Sequence, residues 1–224
     1  APQYIITTNY DYNLETASGL DFGPSQTDET KYSLRRRRTA TTEDGGEVTV
    51  WHIHGEADAP RTLMLSHDHY VRYINRMRRY VPADDGVLLG GDTDSNDTAA
   101  GLLGEDTGSS EAPGDRDGDY GSMSRDAMGR SIWVGLFLQS DVHVLGFGFD
   151  YTEIELWWLL SLKRREALRG RRVGTTTYYP AVAPESDYTK AREGILASYG
   201  VRIDESCRRD TYAAGYAAFL AGER

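Results

Sequence analysis

The sequence predicts an α/β domain with a doubly wound, mostly parallel sheet. Short stretches of apolar and β-branched residues, such as Tyr4–Ile6, Val48–Gly55 and Val142–Leu145, alternate with longer segments whose apolar residues recur at helical spacing. Strands that alternate with helices in this way pair in parallel, and the resulting fold is Rossmann-like. In such a sheet, ligands bind at the carboxyl ends of the strands. We therefore expect the functional residues directly after the strands.

Local signals mark where the expected elements begin and end. Asp11 suits the positive start of a helix, Ser66 caps another, and Gly170 stops a third. The expected strands are Tyr4–Ile6, Lys31–Thr42 paired with Glu47–His54 in a hairpin, Thr62–Leu65, Val142–Leu145, Val173–Tyr179 and Val201–Ile203. The expected helices are Asp11–Gly19, Ser66–Val81, Arg125–Gln139, Tyr151–Leu168, Asp187–Tyr199 and Asp210–Leu220.

Two stretches depart from this alternation. The four arginines Arg35–Arg38 are interpreted as a solvated edge of the hairpin, which discourages edge-to-edge aggregation. Residues 82–124 are dominated by Gly, Asp, Ser and Thr and contain few large apolar residues. Because such a composition cannot bury enough apolar surface to fold compactly alone, we expect a mobile acidic insertion there.

The composition narrows the function classes. The chain's 224 residues carry a formal net charge of −10 and include one cysteine, Cys207. The negative charge argues against direct binding of nucleic acid. One cysteine excludes a disulfide framework and a cysteine zinc module within this chain, and no apolar run is long enough to span a membrane. We therefore expect a cytoplasmic protein that contacts neither nucleic acid nor membrane directly.

Polar residues follow two of the expected strands. Asn9 and Asp11 follow the first strand, where ligands bind, although the same residue types commonly cap a helix. His52 and His54 alternate along the second strand, so they are expected to share one face. Together with His67, Asp68 and His69 they could also bind zinc, and a metal-dependent hydrolase built on the His-x-His pair is therefore an alternative.

Three motifs in a fixed order resemble the sirtuin-like NAD-consuming domains. They are TTNYD at Thr7–Asp11, WHIHG at Trp51–Gly55 and VLGFGFD at Val144–Asp150. Members of this family carry a Thr-x-Asn-x-Asp block, a His-Gly block and a late Gly-rich strand end in the same order. The resemblance covers most of the chain apart from the acidic insertion, and it implies one sirtuin-like α/β domain over residues 1–224.

The chain departs from the family pattern in three ways. The family's first strand and Gly-rich loop, which hold the pyrophosphate, have no counterpart, so we expect them upstream of Ala1 and a domain that is partial at its N-terminus. The four-cysteine zinc module of the protein-deacylating branch is also absent. This departure implies the branch seen in prokaryotic defence proteins and argues against a lysine deacylase. The usual Gly-x-Ser of the late strand reads Gly146-Phe147-Gly148, which removes a hydroxyl that could bond the ribose.

The resemblance implies an NAD+ hydrolase that cleaves the nicotinamide–ribose bond, with NAD as its substrate and no metal cofactor. In this interpretation Asn9 orients ribose or water, His54 is the base, and His52 has a supporting or structural role. The cofactor-binding residues that it assigns are Thr7, Thr8, Asp11, Gly146, Gly148 and Asp150.

The same resemblance implies an effector domain of an anti-phage defence protein, with fused or associated sensor domains and room for a homo-oligomer. A non-catalytic sensor of NAD or ADP-ribose is an alternative, because the altered Gly-x-Ser position could accompany lost chemistry.

Overall fold

The computed structural model describes residues 3–26, 31–81, 131–183 and 186–222, which form alternating strands and helices. The strands are β1 (Tyr4–Thr7), β2 (Arg37–Thr41), β3 (Glu47–His52), β4 (Val142–Leu145), β5 (Thr176–Tyr179) and β6 (Val201–Ile203). The α-helices are α1 (Asn13–Ser18), α2 (His67–Arg78), α3 (Trp133–Gln139), α4 (Ile154–Leu168), α5 (Asp187–Ser198) and α6 (Tyr212–Leu220). The predicted α/β class is confirmed. The predicted acidic insertion, residues 82–124, and the start of the predicted helix Arg125–Gln139 lie outside the described residues.

The first sheet contains β1, β3 and β2 in that spatial order. β3 runs parallel to β1, with Thr7 opposite His52, and antiparallel to β2, so the predicted hairpin is confirmed. Gly45 has a φ of 82° in the turn between β2 and β3, a conformation that glycine adopts with little steric cost. Because β1 and β3 are parallel and in register, the residues that follow Thr7 and His52 lie at the same end of this sheet.

The second sheet contains β4, β5 and β6, all parallel, with α4 and α5 as the crossover helices. The sequence predicts one doubly wound sheet, whereas the strands in the described ranges form two sheets of three. A pattern of alternating strands and helices specifies each local crossover, but it does not specify which distant strands hydrogen-bond to each other. A Rossmann-like fold of the domain therefore stays a prediction.

Apolar side chains from both sheets and from α2, α3 and α4 form one buried cluster. The Trp133 indole N–H of α3 donates a hydrogen bond of 2.7 Å to the Tyr73 hydroxyl of α2. Helix α4 packs against both α2 and α3. This packing brings the start of α4 to the carboxyl end of β3. No helix in the described ranges is long and apolar enough to cross a membrane.

The predicted strand at Thr62–Leu65 is wrong. Pro60–Thr62 forms a 3₁₀ turn, with the proline at a position where its missing N–H costs nothing. The Thr62 hydroxyl donates to the Ala59 carbonyl at 2.6 Å and accepts from the Glu56 N–H at 3.0 Å. These side-chain to backbone bonds stabilise a turn in place of a strand.

The predicted solvated edge at Arg35–Arg38 is also wrong. Arg36 is only 2% exposed, and Nε of Arg38 lies 2.6 Å from Oε1 of the buried Glu56. Arg38 also binds Asp58 at 3.1 Å. The loop after β3 supplies carboxylates to Arg36 and Arg38, which the one-dimensional charge pattern does not reveal.

Candidate functional site

Asn9 lies just beyond β1, and its side chain is exposed. Its backbone N–H donates to the Thr7 hydroxyl at 3.1 Å, and its backbone carbonyl lies 3.1 Å from Nδ1 of His52. Since Thr7 pairs with His52, Asn9 and His54 each stand two residues beyond one pair of the register. The backbone of Asn9 is therefore fixed, while its side-chain amide stays available at the end of the sheet.

His52 is fully buried and forms a pair with Glu15 of α1. Nε2 of His52 lies 2.6 Å from Oε1 of Glu15, and the Tyr12 ring packs edge-on against the imidazole. The Asn9 carbonyl can only accept a hydrogen bond, so Nδ1 of His52 carries a hydrogen. Nε2 of His52 and Oε1 of Glu15 form a hydrogen bond of 2.6 Å, which requires a second hydrogen between these two atoms. His52 thus ties α1 to the loop that carries Asn9, and both of its ring nitrogens are occupied.

His54 forms a second buried pair, with Glu155 at the start of α4. Nε2 of His54 lies 2.7 Å from Oε1 of Glu155, and the two side chains are 2% and 0% exposed. The Tyr70 ring of α2 packs edge-on against the imidazole at 5.2 Å between ring centroids. The backbone is held as well, because the Met64 N–H donates to the His54 carbonyl at 3.0 Å.

Gly55 is required at the turn after His54. It adopts a φ of 111°, and a Cβ atom there would lie 2.5 Å from the Thr62 carbonyl oxygen. A side chain at this position would therefore force the turn apart. The glycine of the His-Gly motif holds the catalytic candidate in place, and no ligand is needed to explain it.

Nδ1 of His54 differs from every other ring nitrogen of the two pairs. Among the described residues it has no hydrogen-bond partner, whereas Nε2 faces Glu155. When Nε2–H donates to an ionised Glu155, the neutral imidazole carries its lone pair on Nδ1. His54 is consequently oriented to accept a proton at Nδ1.

A second carboxylate, Glu153, lies beside this pair. Its Oε2 is 3.7 Å from Nε2 of His54, and Oε2 of Glu153 and Oε2 of Glu155 are both buried without a hydrogen-bond partner. Burial raises the pKa of Glu153 to about 6. Electrostatic attraction to His54 lowers this pKa, whereas the neighbouring Glu155 raises it further. One nitrogen of His54 and one oxygen from each glutamate all lie within 4.8 Å of one another, so these three residues could hold a metal ion.

The His-x-His pair does not form a common ligand set. β3 ends at His52 and the chain turns at once, so the strand alternation that would place both imidazoles on one face does not continue to His54. Each histidine binds a different glutamate. Nε2 of His69 lies 3.2 Å from Nζ of Lys31, and His69 does not belong to the group of His54, Glu153 and Glu155.

Three predicted cofactor-binding residues lie around β1 and α1. The Thr7 hydroxyl accepts from the Asn9 N–H, and Thr8 is half-buried. The Asp11 carboxylate accepts from the Asn13 N–H at 3.1 Å, which stabilises the first turn of α1. These contacts give Thr7 and Asp11 local structural roles, and their contact with NAD stays a prediction.

The other three predicted cofactor-binding residues follow β4. Gly146 has a φ of 67°, and Gly148 has open space where a Cβ would stand. The Asp150 carboxylate accepts from the Thr152 N–H at 3.0 Å, just before the turn that leads to Glu153 and Glu155. One segment thus carries both the Gly-rich strand end and the carboxylates that meet His54.

The glutamate partners were missed by sequence reasoning. Glu15 and Glu155 lie in the first turns of α1 and α4. Acidic residues are common there because they interact favourably with the helix dipole, so their presence does not by itself indicate a site. One usable signal was present: Glu155 is the only charged residue in the otherwise apolar stretch Ile154–Leu160.

Part of the chain is similar to a known protein family. The SIR2-like domain family matches residues 3–89, a segment that contains Asn9, His52 and His54 but ends before β4. No curated protein and no solved structure matches the chain. The match confirms the sirtuin-like resemblance for the segment that contains TTNYD and WHIHG, whereas the third motif, VLGFGFD, lies outside the matched residues.

Proposed function

We propose that this domain hydrolyses NAD+ at the bond between nicotinamide and ribose. A SIR2-like domain supports an NAD-related function in general. The observation that carries the finer proposal is the state of His54: a buried imidazole, held at Nε2 by Glu155, whose Nδ1 keeps no partner among the described residues. It stands at the end of the strand next to the one that presents the exposed Asn9 amide.

The proposed reaction needs few covalent steps. The glycosidic C–N bond breaks, its electron pair leaves with nicotinamide, and the ribose passes through an oxocarbenium-like state that water captures. Nδ1 of His54 accepts the proton of a ribose hydroxyl or of the attacking water, a role worth about 10²–10⁴-fold in rate for a positioned base. Asn9 orients the ribose or the water through its side-chain amide. Glu155 keeps Nε2 protonated, so that the lone pair stays on Nδ1.

Hydrolysis is favoured over protein deacylation by the cysteine content. The chain has one cysteine, Cys207, which is buried, and four cysteines are needed for the zinc module that borders the substrate cleft of the deacylating branch. The same departure supports a role as an effector of a prokaryotic anti-phage defence protein, in which hydrolysis depletes cellular NAD.

The experiment compares nicotinamide release by the full-length protein and its variants. Asn9→Ala and His54→Ala should each lower the rate at least about 100-fold. His67→Ala is the matched control, because this histidine is exposed in the first turn of α2 and should leave the rate unchanged. Wild-type turnover by either test variant contradicts the assignment of that residue.

A non-catalytic sensor is the second candidate function. It is favoured by Gly148, which stands where the resemblance expects a serine hydroxyl for the ribose. Chromatography of NAD incubated with the wild-type protein separates the two: free nicotinamide supports the hydrolase, whereas saturable NAD or ADP-ribose binding without any product supports the sensor.

A further inference from the structure

We propose that His54, Glu153 and Glu155 bind one divalent transition-metal ion, and that this ion holds the domain inactive. The metal-binding part of the proposal depends only on these three side chains and not on the proposed function. The inactivation rests on the function proposed above, because it acts through Nδ1 of His54.

The three side chains present one nitrogen and two oxygens at the spacing of a metal site. Nε2 of His54 lies 2.7 Å from Oε1 of Glu155 and 3.7 Å from Oε2 of Glu153, and all three donor atoms fit within 4.8 Å. Bonds of about 2.0–2.2 Å to zinc separate neighbouring ligands of a tetrahedral site by roughly 3.4 Å. The donors therefore need to move by about an ångström or less from the distances observed to His54.

The two carboxylates share a single imidazole as their ion-pair partner within the described ranges. Oε2 of Glu153 and Oε2 of Glu155 are both shielded from solvent without a hydrogen bond. Within the described ranges, the ion pairs of these two glutamates involve His54 alone, and no Lys or Arg neutralises them. Buried charges are normally paired or coordinate a metal, so a divalent cation satisfies both carboxylates at once.

The donor set selects the class of ion. One imidazole and two carboxylates suit Zn²⁺ or Mn²⁺ and leave a position for water, whereas Ca²⁺ takes six or more oxygen ligands. Glu153 provides the route to solvent, because its side chain is 21% exposed while that of Glu155 is fully buried.

Occupancy removes the proposed base by a change of tautomer. A metal ion on Nε2 of His54 displaces the hydrogen that Nε2 shares with Glu155, and the ring hydrogen then resides on Nδ1. Nδ1 loses its lone pair and can no longer accept a proton from ribose or water. Binding of the ion at the three residues therefore inhibits NAD+ hydrolysis through His54.

Calorimetric titration of chelator-treated protein with ZnCl₂ and with MnCl₂ tests the binding. Wild-type protein should bind one ion per chain and melt at a higher temperature with the ion present. Glu153→Gln and Glu155→Gln should each weaken binding at least about tenfold, since each removes one ligand charge. Glu15→Gln is the matched control. It alters the other buried His–Glu pair, which has no third ligand among the residues that the structure describes, so this variant should bind as wild type does.

Spectroscopy of the wild-type protein makes the test independent of variant folding. Pulsed electron paramagnetic resonance of the Mn²⁺-loaded protein should show coupling to one imidazole nitrogen. Three results would overturn the proposed site. They are the absence of stoichiometric binding, full affinity in both glutamine variants, and a bound ion without nitrogen coupling.

The inhibition is measured separately, as nicotinamide release with and without one equivalent of Zn²⁺. Turnover by the metal-free protein that falls at least about tenfold on addition of zinc supports the inactivation. Unchanged turnover with zinc bound overturns the proposed inactivation, but it does not contradict the proposed metal site. A metal-free protein that binds NAD but releases no nicotinamide instead contradicts the proposed hydrolase, while the titration still decides the metal site.

Discussion

His52 and His54 stand two residues apart, and each binds a buried glutamate, yet the two pairs differ in what they leave free. Both nitrogens of His52 are occupied, by Glu15 and by the Asn9 carbonyl. His54 uses Nε2 for Glu155, has no partner for Nδ1 within the described part of the chain, and lies beside a second carboxylate, Glu153. The same pair of residue types therefore holds a backbone loop in one case and, in the other, leaves a ring nitrogen without a partner among the described residues.

The difference follows from where each glutamate comes from. Glu15 belongs to α1, which begins soon after the loop that His52 fixes, so this pair closes a local unit. Glu155 lies 101 residues from His54 and belongs to the half of the chain that forms the second sheet. The His54 pair thus joins the two halves of the molecule through α4, which follows the Gly-rich end of β4 along the chain.

The largest expected effect on stability is that of His52→Ala. This change leaves Glu15 buried without its partner and removes the donor to the Asn9 carbonyl, so the free energy of unfolding should fall by about 3–5 kcal/mol. Urea denaturation followed by circular dichroism measures the change. His54→Ala should cost less, because Glu155 and Glu153 can share one proton once the imidazole is gone. Equal losses would remove the distinction between the two pairs.

Gly55→Ala should also destabilise strongly, by about 3 kcal/mol. The positive φ costs an alanine about 1–2 kcal/mol, and the overlap of its Cβ with the Thr62 carbonyl adds strain of similar size. The change should lower nicotinamide release as well, since the turn positions His54. Gly45→Ala is the control, because Gly45 has a similarly positive φ but open space around its Cβ position. A loss no larger than that of the control would show that the turn can relax.

Exchange of each glutamate for glutamine should change the free energy of unfolding in different directions for the two pairs. Glu15→Gln replaces a charge-assisted hydrogen bond by a neutral one and should lower the free energy of unfolding by about 1–2 kcal/mol. Glu155→Gln keeps an acceptor for Nε2 of His54 and removes the repulsion with Glu153, so stability should stay equal or rise. Thermal melts of both variants in chelator-containing buffer provide the measurement. A clear loss for Glu155→Gln would mean that the charge of Glu155 is compensated after all.

The local elements could be predicted from sequence because their signals are local. The Ser66 side chain accepts from the His69 N–H at 3.4 Å, as expected of a helix cap, and Gly170 and Gly200 end α4 and α5 with positive φ. The division into two sheets could not be predicted, because it depends on pairing between strands far apart in the chain. The burial of Arg36 is a similar case, since it depends on the loop around Glu56.

Within the candidate site, the sequence predicted the residues that end strands and missed those that meet them. Asn9 and His54 follow β1 and β3, so strand-end reasoning reached both. Glu155 meets His54 only through the packing of α4 against α2, which no spacing in the sequence encodes. The predicted cofactor roles of Gly146, Gly148 and Asp150 stay predictions.

The smallest expected effect on stability belongs to Asn9→Ala, and it is the most diagnostic for function. The Asn9 side chain is exposed, and the contacts that fix this residue are made by its backbone: the N–H to Thr7 and the carbonyl to His52. Alanine keeps both contacts, so the free energy of unfolding should change by no more than about 0.5 kcal/mol. The same variant is expected to lose nicotinamide release, which would separate the amide's chemistry from the fold. A loss of stability above about 1 kcal/mol, measured by urea denaturation, would instead assign the Asn9 amide a structural role and return the strand end to the simple capping explanation.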